Sequence, residues 1–149
     1  MAGDYDEAPT LRTVRRILLL VLMVGMAGTA TELLLLKHDE APLQLVPLVL
    51  LAAAMGAAIW QAVRPGRASL TSLQILMLLF ILAGGLGVYF HFVANVAFQR
   101  EVDPSIAGAA LFWKAIAAKT PPALAPGAMV QMGLIGLAYT YQHPSGRPF

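Results

Sequence analysis

The residues of this chain that could carry chemistry are few, and two of them lie inside long apolar stretches. Glu32 is the only charged residue of the first stretch, and His91 lies near the end of the third. An ionisable residue inside a membrane usually marks a site for a proton, an ion or a metal. If both stretches are helices, the two side chains lie within roughly 6 Å of the same membrane surface. Glu32 and His91 are therefore candidates for a polar or ion site, with His38, Gln44 and Asn95 as polar neighbours.

A purely structural interpretation of Glu32 and His91 stays open. Close to the lipid headgroups, hydration and snorkelling reduce the cost of a polar side chain. A zinc or copper site would need at least three ligands, and the spacing here matches no metal motif, so a metal is neither predicted nor excluded. The chain has no cysteine, which excludes thiolate sites and disulfides. It also has no phosphate loop or nucleophile elbow, so we predict no cofactor and find no positive sign of an enzyme.

Small residues recur at helical spacing and indicate where helices approach each other. Gly25 and Gly28 share a helix face with Glu32, and Gly84 and Gly87 share one with His91. Since small residues line close helix contacts in membranes, we expect both faces to point into a helical bundle. The remaining predicted packing residues are Ala52, Gly56, Gly133, Gly136 and Gln131. The last of these lies near the middle of its stretch, where we expect an interhelical hydrogen bond.

The composition shows what must position these residues. Of 149 residues, 58% are hydrophobic and 12% charged, with a mean hydropathy of +0.71. These values are typical of an integral membrane protein and leave no room for a soluble domain. The apolar stretches predict one membrane domain with four spans, at about 17–36, 45–63, 70–92 and 124–141, between a polar N-terminal segment (1–16) and a polar tail (142–149).

A short helix is predicted between the third and fourth spans. Asp103 and Pro104 are typical of a helix start, and a helix over about 104–118 would be too short to cross a membrane. Because Lys114 lies within it, we expect this helix at the membrane surface. The predicted fold is thus an all-α, four-helix membrane bundle with one interfacial helix. A cleavable signal peptide is the alternative for the first stretch, but the acidic residues before it favour a span.

The basic residues predict the orientation of the chain. Four spans place both termini on one side, and Arg12, Arg15 and Arg16 come directly before the first span. Both termini should therefore be cytoplasmic, in a multi-pass protein of the inner (plasma) membrane. The net charge of +2 is scattered rather than clustered, so nucleic acid is excluded as a partner.

A resemblance adds to this architecture. Residues 31–38 leading to 44–48, together with 123–127 before the fourth span, resemble small uncharacterised bacterial four-span integral membrane proteins. The resemblance implies four spans and no particular chemistry. Because the chain has small-residue faces and almost no soluble mass, we predict a non-catalytic accessory or assembly subunit. Its partners would be the lipid bilayer and other membrane subunits or further copies of itself. The alternative is a small transporter or an ion- or metal-handling protein that uses Glu32 and His91.

Overall fold

The computed structural model describes residues 9–37, 42–118 and 124–146. These residues form five α-helices and one short 3-10 helix, with no strand among them, so the all-α prediction is confirmed. The helices are α1 (Pro9–Leu35), α2 (Pro42–Val63), α3 (Arg67–Val102), α4 (Gly108–Ile116) and α5 (Ala125–Thr140), and the 3-10 helix is Pro144–Gly146.

Three helices, α1, α2 and α3, are long and apolar enough to cross a membrane. The sequence predicts four such helices. The fourth predicted span corresponds to α5, whose 16 residues are fewer than the roughly 20 that an upright span needs. The three long helices indicate a membrane protein.

Both α1 and α3 extend beyond the predicted apolar stretches. Helix α1 begins at Pro9, whose missing N–H costs little in a first turn, and it includes the three arginines that the sequence places before the span. Helix α3 continues to Val102, and its 36 residues reach about 54 Å, more than the hydrocarbon thickness. An apolar stretch therefore predicts the part of a helix inside the hydrocarbon. The helix itself extends further, until it reaches a residue that ends it.

The stop after α3 is a turn that folds α4 back along it. Asp103 is the C-cap of α3, and its Oδ1 accepts hydrogen bonds from Ser105 N (3.1 Å) and Ser105 Oγ (2.6 Å). Helix α4 then begins at Gly108, later than the position near 104 that the sequence suggests. The Asn95 amide donates to the carbonyl of Ala115 (3.0 Å), which holds the end of α4 against α3.

The apolar core lies between α1, α2, α3 and α5. Helix α3 contacts α2, α4 and α5, while α1 contacts α2 and α5. Most buried core side chains are leucine, methionine or aromatic, and none of these is branched at Cβ. Among them are Leu22, Met26, Leu51, Leu73, Met77, Phe80, Met129 and Met132. Many large apolar residues on the opposite faces of the same helices are exposed, as on a surface that meets lipid.

Helices α3 and α5 make the closest contact, through glycines on both sides. A Cβ on Gly84 would lie 2.6 Å from the carbonyl oxygen of Pro126, and a Cβ on Gly133 would lie 2.7 Å from that of Met77. These pairings show that the two helices are antiparallel. We call Gly84, Gly87, Gly133 and Gly136 with their partners the α3–α5 contact.

Helices α2 and α3 are joined by a hydrogen-bonded corner. The Ser69 hydroxyl donates to Gln61 Oε1 (2.5 Å) and accepts from Gly66 N (3.1 Å). Gln61 is 2% exposed, and its Nε2 has no hydrogen-bond partner in the described part of the chain. The corner ties the end of α2 to the first turn of α3.

Candidate functional site

Glu32 and His91 lie toward the same end of the molecule but do not meet. Helix α1 runs antiparallel to α5, because Arg15 contacts Tyr139 and Gly25 contacts Met132. Helix α3 is also antiparallel to α5, so α1 and α3 are parallel. Gly25 and Ile81 lie at the same level, beside the Met132–Gly133 region. Counting on from that level puts His91 about one helical turn beyond Glu32. Glu32 is exposed and His91 is half-buried. Within the described ranges, no hydrogen bond or ion pair joins the carboxylate to the imidazole.

The expected inward direction of Glu32 is wrong. The buried stripe of α1 consists of Arg15, Leu22, Met26, Thr29 and Leu33. Glu32 and Gly28 are each one residue, or about 100°, away from members of this stripe, and both are exposed. The reason is volume. The space beside α5 is filled by leucine and methionine side chains, so α1 turns these inward and leaves Gly28 and Glu32 outside.

His91 continues the buried stripe of α3, as the sequence predicts for its face. That stripe runs through Leu73, Met77, Phe80 and Gly84 to the half-buried Gly87. Helix α5 starts at Ala125, beside Gly84 and Gly87. His91 and Asn95 therefore lie past the start of α5, where the covering element is α4.

The other members of the predicted polar site are dispersed. Gln44 lies half-buried in the first turn of α2, and the Asn95 side chain bonds to the backbone of α4. His38 lies outside the described residues. Over residues 9–37, 42–118 and 124–146, the structure holds no group of three or more His, Asp or Glu side chains able to bind a metal ion.

The predicted packing residues divide into two groups. Gly84, Gly87, Gly133 and Gly136 form the α3–α5 contact, and a Cβ on Gly25 would lie 3.3 Å from Met132 Sδ. Ala52, Gly28 and Gly56 are exposed, and a Cβ on either glycine would meet no atom within 4 Å. Small residues of the second group thus do not serve contacts within the described chain.

Gln131 lies on the surface of α5 that faces away from the other helices. Its neighbours Val130 and Met132 pack against α3 and α1, whereas Gln131 is exposed. The amide has no hydrogen-bond partner among the described residues. The expected hydrogen bond to another helix of this chain is therefore not formed there.

A buried arginine is the polar residue that the sequence interpretation missed. Arg15 is 7% exposed, and its guanidinium donates to the carbonyls of Tyr139 (2.9 Å) and Gln142 (3.2 Å). The cation satisfies carbonyls at the end of α5, where the helix dipole favours positive charge. The sequence does contain a signal for its burial. Arg15 lies seven residues before Leu22, which places both on the same buried stripe of α1.

Comparison with known proteins finds no matching family model, no matching curated protein and no matching solved structure.

Proposed function

We propose that this chain is a non-catalytic accessory subunit that binds another membrane protein through the exposed face of α5. That face consists of the half-buried Gly127 and the exposed Gln131, Leu134 and Ala138, spaced three or four residues apart. The observation that carries the proposal is the exposed Gln131 amide, halfway along an apolar helix.

A lone amide in the hydrocarbon requires a partner. Lipid tails offer no hydrogen bonds, and an unsatisfied polar group in the bilayer costs several kcal/mol. A glutamine side chain is too short to reach the headgroups from this depth, and its amide is always polar. A second polypeptide is therefore the expected partner for its hydrogen bond. A side chain that accepts and donates at once would pair with an amide, hydroxyl or carboxyl group of a facing helix.

The residues around Gln131 suit a facing helix. Gly127 is one turn before it, and a Cβ there would meet no atom within 4 Å. Leu134 is 57% exposed and lies three residues after it. A small residue, an amide and a leucine along one line provide close approach, a specific bond and packing area.

The proposal includes α5 as a fourth span of a four-helix bundle. Its 16 residues reach about 24 Å, and the apolar or aromatic flanks Leu124 and Tyr141 extend that length toward the hydrocarbon thickness. Helix α4 would lie at the surface with Phe112 and Trp113 exposed. Both termini would be cytoplasmic in a bacterial inner membrane, because the arginines gather where α1 and α3 begin. A transport or ion-handling role receives less support, since Glu32 is exposed and not joined to His91.

The test is native mass spectrometry of the full chain extracted from its own membrane in mild detergent. The wild type should carry a foreign subunit in stoichiometric amount. Gln131→Leu removes the amide but suits lipid, so it should fold normally and lose that subunit. Gln131→Asn should keep it. Gln99→Leu makes the same change on the projecting part of α3 and should also keep it.

Three results would overturn the proposal. A wild type without a foreign subunit would do so, as would a subunit that survives Gln131→Leu. The third is self-association. Because the chain has no cysteine, Leu134→Cys introduces a unique thiol, and its crosslinking to a second copy would make α5 a homo-oligomer interface instead.

A further inference from the structure

A polar cleft lies at the end of the molecule where α1 and α3 begin and α5 ends. It has a volume of about 520 Å³ between the first turns of α3, the end of α5 and the 3-10 helix. Its lining residues include Arg67, Leu70, Thr71, Gln74, Gln142 and His143. Most of these side chains are hydrogen-bonding groups, and Leu70 forms an apolar floor. The lining of the cleft is therefore mainly polar.

The charge around the cleft is positive. Its lining includes Arg67 and His143 and no acidic residue. The described arginines of the adjoining first turns and corner are Arg12, Arg15, Arg16 and Arg64. The described acidic residues, Glu32, Glu101 and Asp103, all lie toward the opposite end, late in α1 or at the end of α3. Among the described residues, positive charge is therefore concentrated at the cleft end, which favours an anion there.

One wall of the cleft is a single face of α3. Arg67, Thr71 and Gln74 occupy positions i, i+4 and i+7 of the helix and therefore point the same way. A guanidinium, a hydroxyl and an amide supply several donors along about two turns. The first turn of a long helix adds the positive end of its dipole.

The opposite wall is held in place from behind by Arg15. Its bonds to Tyr139 and Gln142 fix the turn after α5, in which Gln142 has a positive φ of 49°. His143 Nδ1 accepts from Ser145 N (3.2 Å), so a neutral ring carries its proton on Nε2 as a donor. Because hydrogen bonds already fix this wall, its donors can bind a ligand without the free-energy cost of ordering a loop.

We propose that this cleft binds the phosphate group of an anionic ligand, with Arg67 as its main contact. The guanidinium matches phosphate in a forked pair of hydrogen bonds, and the hydroxyl and amide groups suit its remaining oxygens. The volume exceeds that of inorganic phosphate and accommodates a glycerol phosphate headgroup. The ligand is either an anionic phospholipid at the membrane surface or a free phosphate ester. The inference is independent of the accessory-subunit proposal, because the cleft and the exposed face of α5 share no residue.

The experiment measures lipid and phosphate binding to the full chain in 0.5 M salt, where long-range attraction is screened. Nanodiscs of phosphatidylcholine receive increasing phosphatidylglycerol, and native mass spectrometry counts the phosphatidylglycerol molecules retained. A second arm titrates detergent-solubilised chain with glycerol 1-phosphate. Arg67→Gln should weaken the binding about tenfold, as loss of a charge-assisted bond predicts.

Arg64→Gln is the matched control. It removes the same charge three residues earlier, outside the lining, and should change binding less than about threefold at this salt concentration. Retention of phosphatidylglycerol in the first arm alone identifies a lipid headgroup, and saturable binding in the second identifies a free phosphate ester. Equal losses in Arg64→Gln and Arg67→Gln would overturn the proposal, as would no binding in either arm.

Discussion

Two neighbouring glycines of α3 occupy opposite environments. A Cβ on Gly84 would lie 2.6 Å from the carbonyl oxygen of Pro126, whereas a Cβ on Gly85 would meet no atom within 4 Å. The same contrast holds more widely, between the α3–α5 contact and the exposed glycines of α1 and α2. Residue type and spacing alone do not separate the two cases. What separates them is the backbone of a second helix.

The α3–α5 contact shows what that second backbone requires. Glycines on α3 receive the start of α5, and glycines on α5 receive Met77 and Ile81 of α3. Because each helix gives up side-chain volume where the other needs it, the two axes come closer than leucine would allow. At Gly28 and Gly56 no such reciprocal partner exists in the described chain.

The largest expected difference in stability is between substitutions at Gly84 and at Gly85. Gly84→Ala places a methyl group against backbone, which cannot rotate away, so we expect a loss of about 3 kcal/mol in the free energy of unfolding. Gly85→Ala should instead raise it by about 0.5 kcal/mol, because alanine favours the helix. Titration with SDS in mixed micelles measures both. Equal effects of the two variants would contradict the antiparallel contact described here.

A second prediction concerns the contact of α1 with α5, which uses a charge rather than glycines. Arg15→Met keeps the length of the side chain but removes the donors to Tyr139 and Gln142. We expect a loss of about 2 kcal/mol, typical of buried hydrogen bonds from a charged group.

Arg16→Met is the control for that prediction, since Arg16 is the exposed neighbour. It should alter the free energy of unfolding by less than about 0.5 kcal/mol. The same SDS titration applies. If both variants behaved alike, net charge and not the cap on α5 would explain the effect of Arg15.

These contrasts explain what the sequence could predict. The stripe from Gly84 through Gly87 to His91 was predictable from its helical spacing, and it lies on the same face as the large buried residues of α3. On α1 the row of small residues gave the wrong buried face. Leu22, Met26 and Leu33 lie on the neighbouring face, and these larger side chains are the ones that are buried. Periodicity identifies the buried face of a helix only to within about one residue. An error of one residue is a rotation of about 100°, which is enough to move Glu32 from the buried side to the exposed side.

Other features depend on tertiary contacts that no local pattern contains. The cleft forms only when the end of α5 returns to the start of α3, so residues as distant as Arg67 and His143 share it. The exposure of Gln131 likewise depends on which side of α5 meets α3. The role of Asp103 was misassigned for a local reason, since an Asp before a proline suits a helix start and a turn equally well.

The smallest expected effect on stability lies at the Asp103–Ser105 turn, which involves neither the packed nor the exposed glycines. The hydrogen bond from the Ser105 side chain, followed by that from its backbone, lowers the pKa of the Asp103 carboxyl below its ordinary value of 3.8. A lowered native pKa means that the carboxylate stabilises the fold above pH 3.8, and that this contribution is lost as the pH falls through the lowered native value. Carboxyl carbon NMR shifts report the titration in micelles.

Ser105→Ala should move the titration midpoint of Asp103 up toward the ordinary value, while Ser105→Thr, which keeps a hydroxyl, should leave it low. Because the hydrogen bonds of the Asp103 carboxylate are exposed to solvent, the interaction is screened and the change in unfolding free energy should be far smaller than at Gly84. A midpoint unaffected by Ser105→Ala would show that the turn does not hold the carboxylate in solution. Asp103 would then end α3 without anchoring the return of α4, and the Asn95 bond to Ala115 would carry that role.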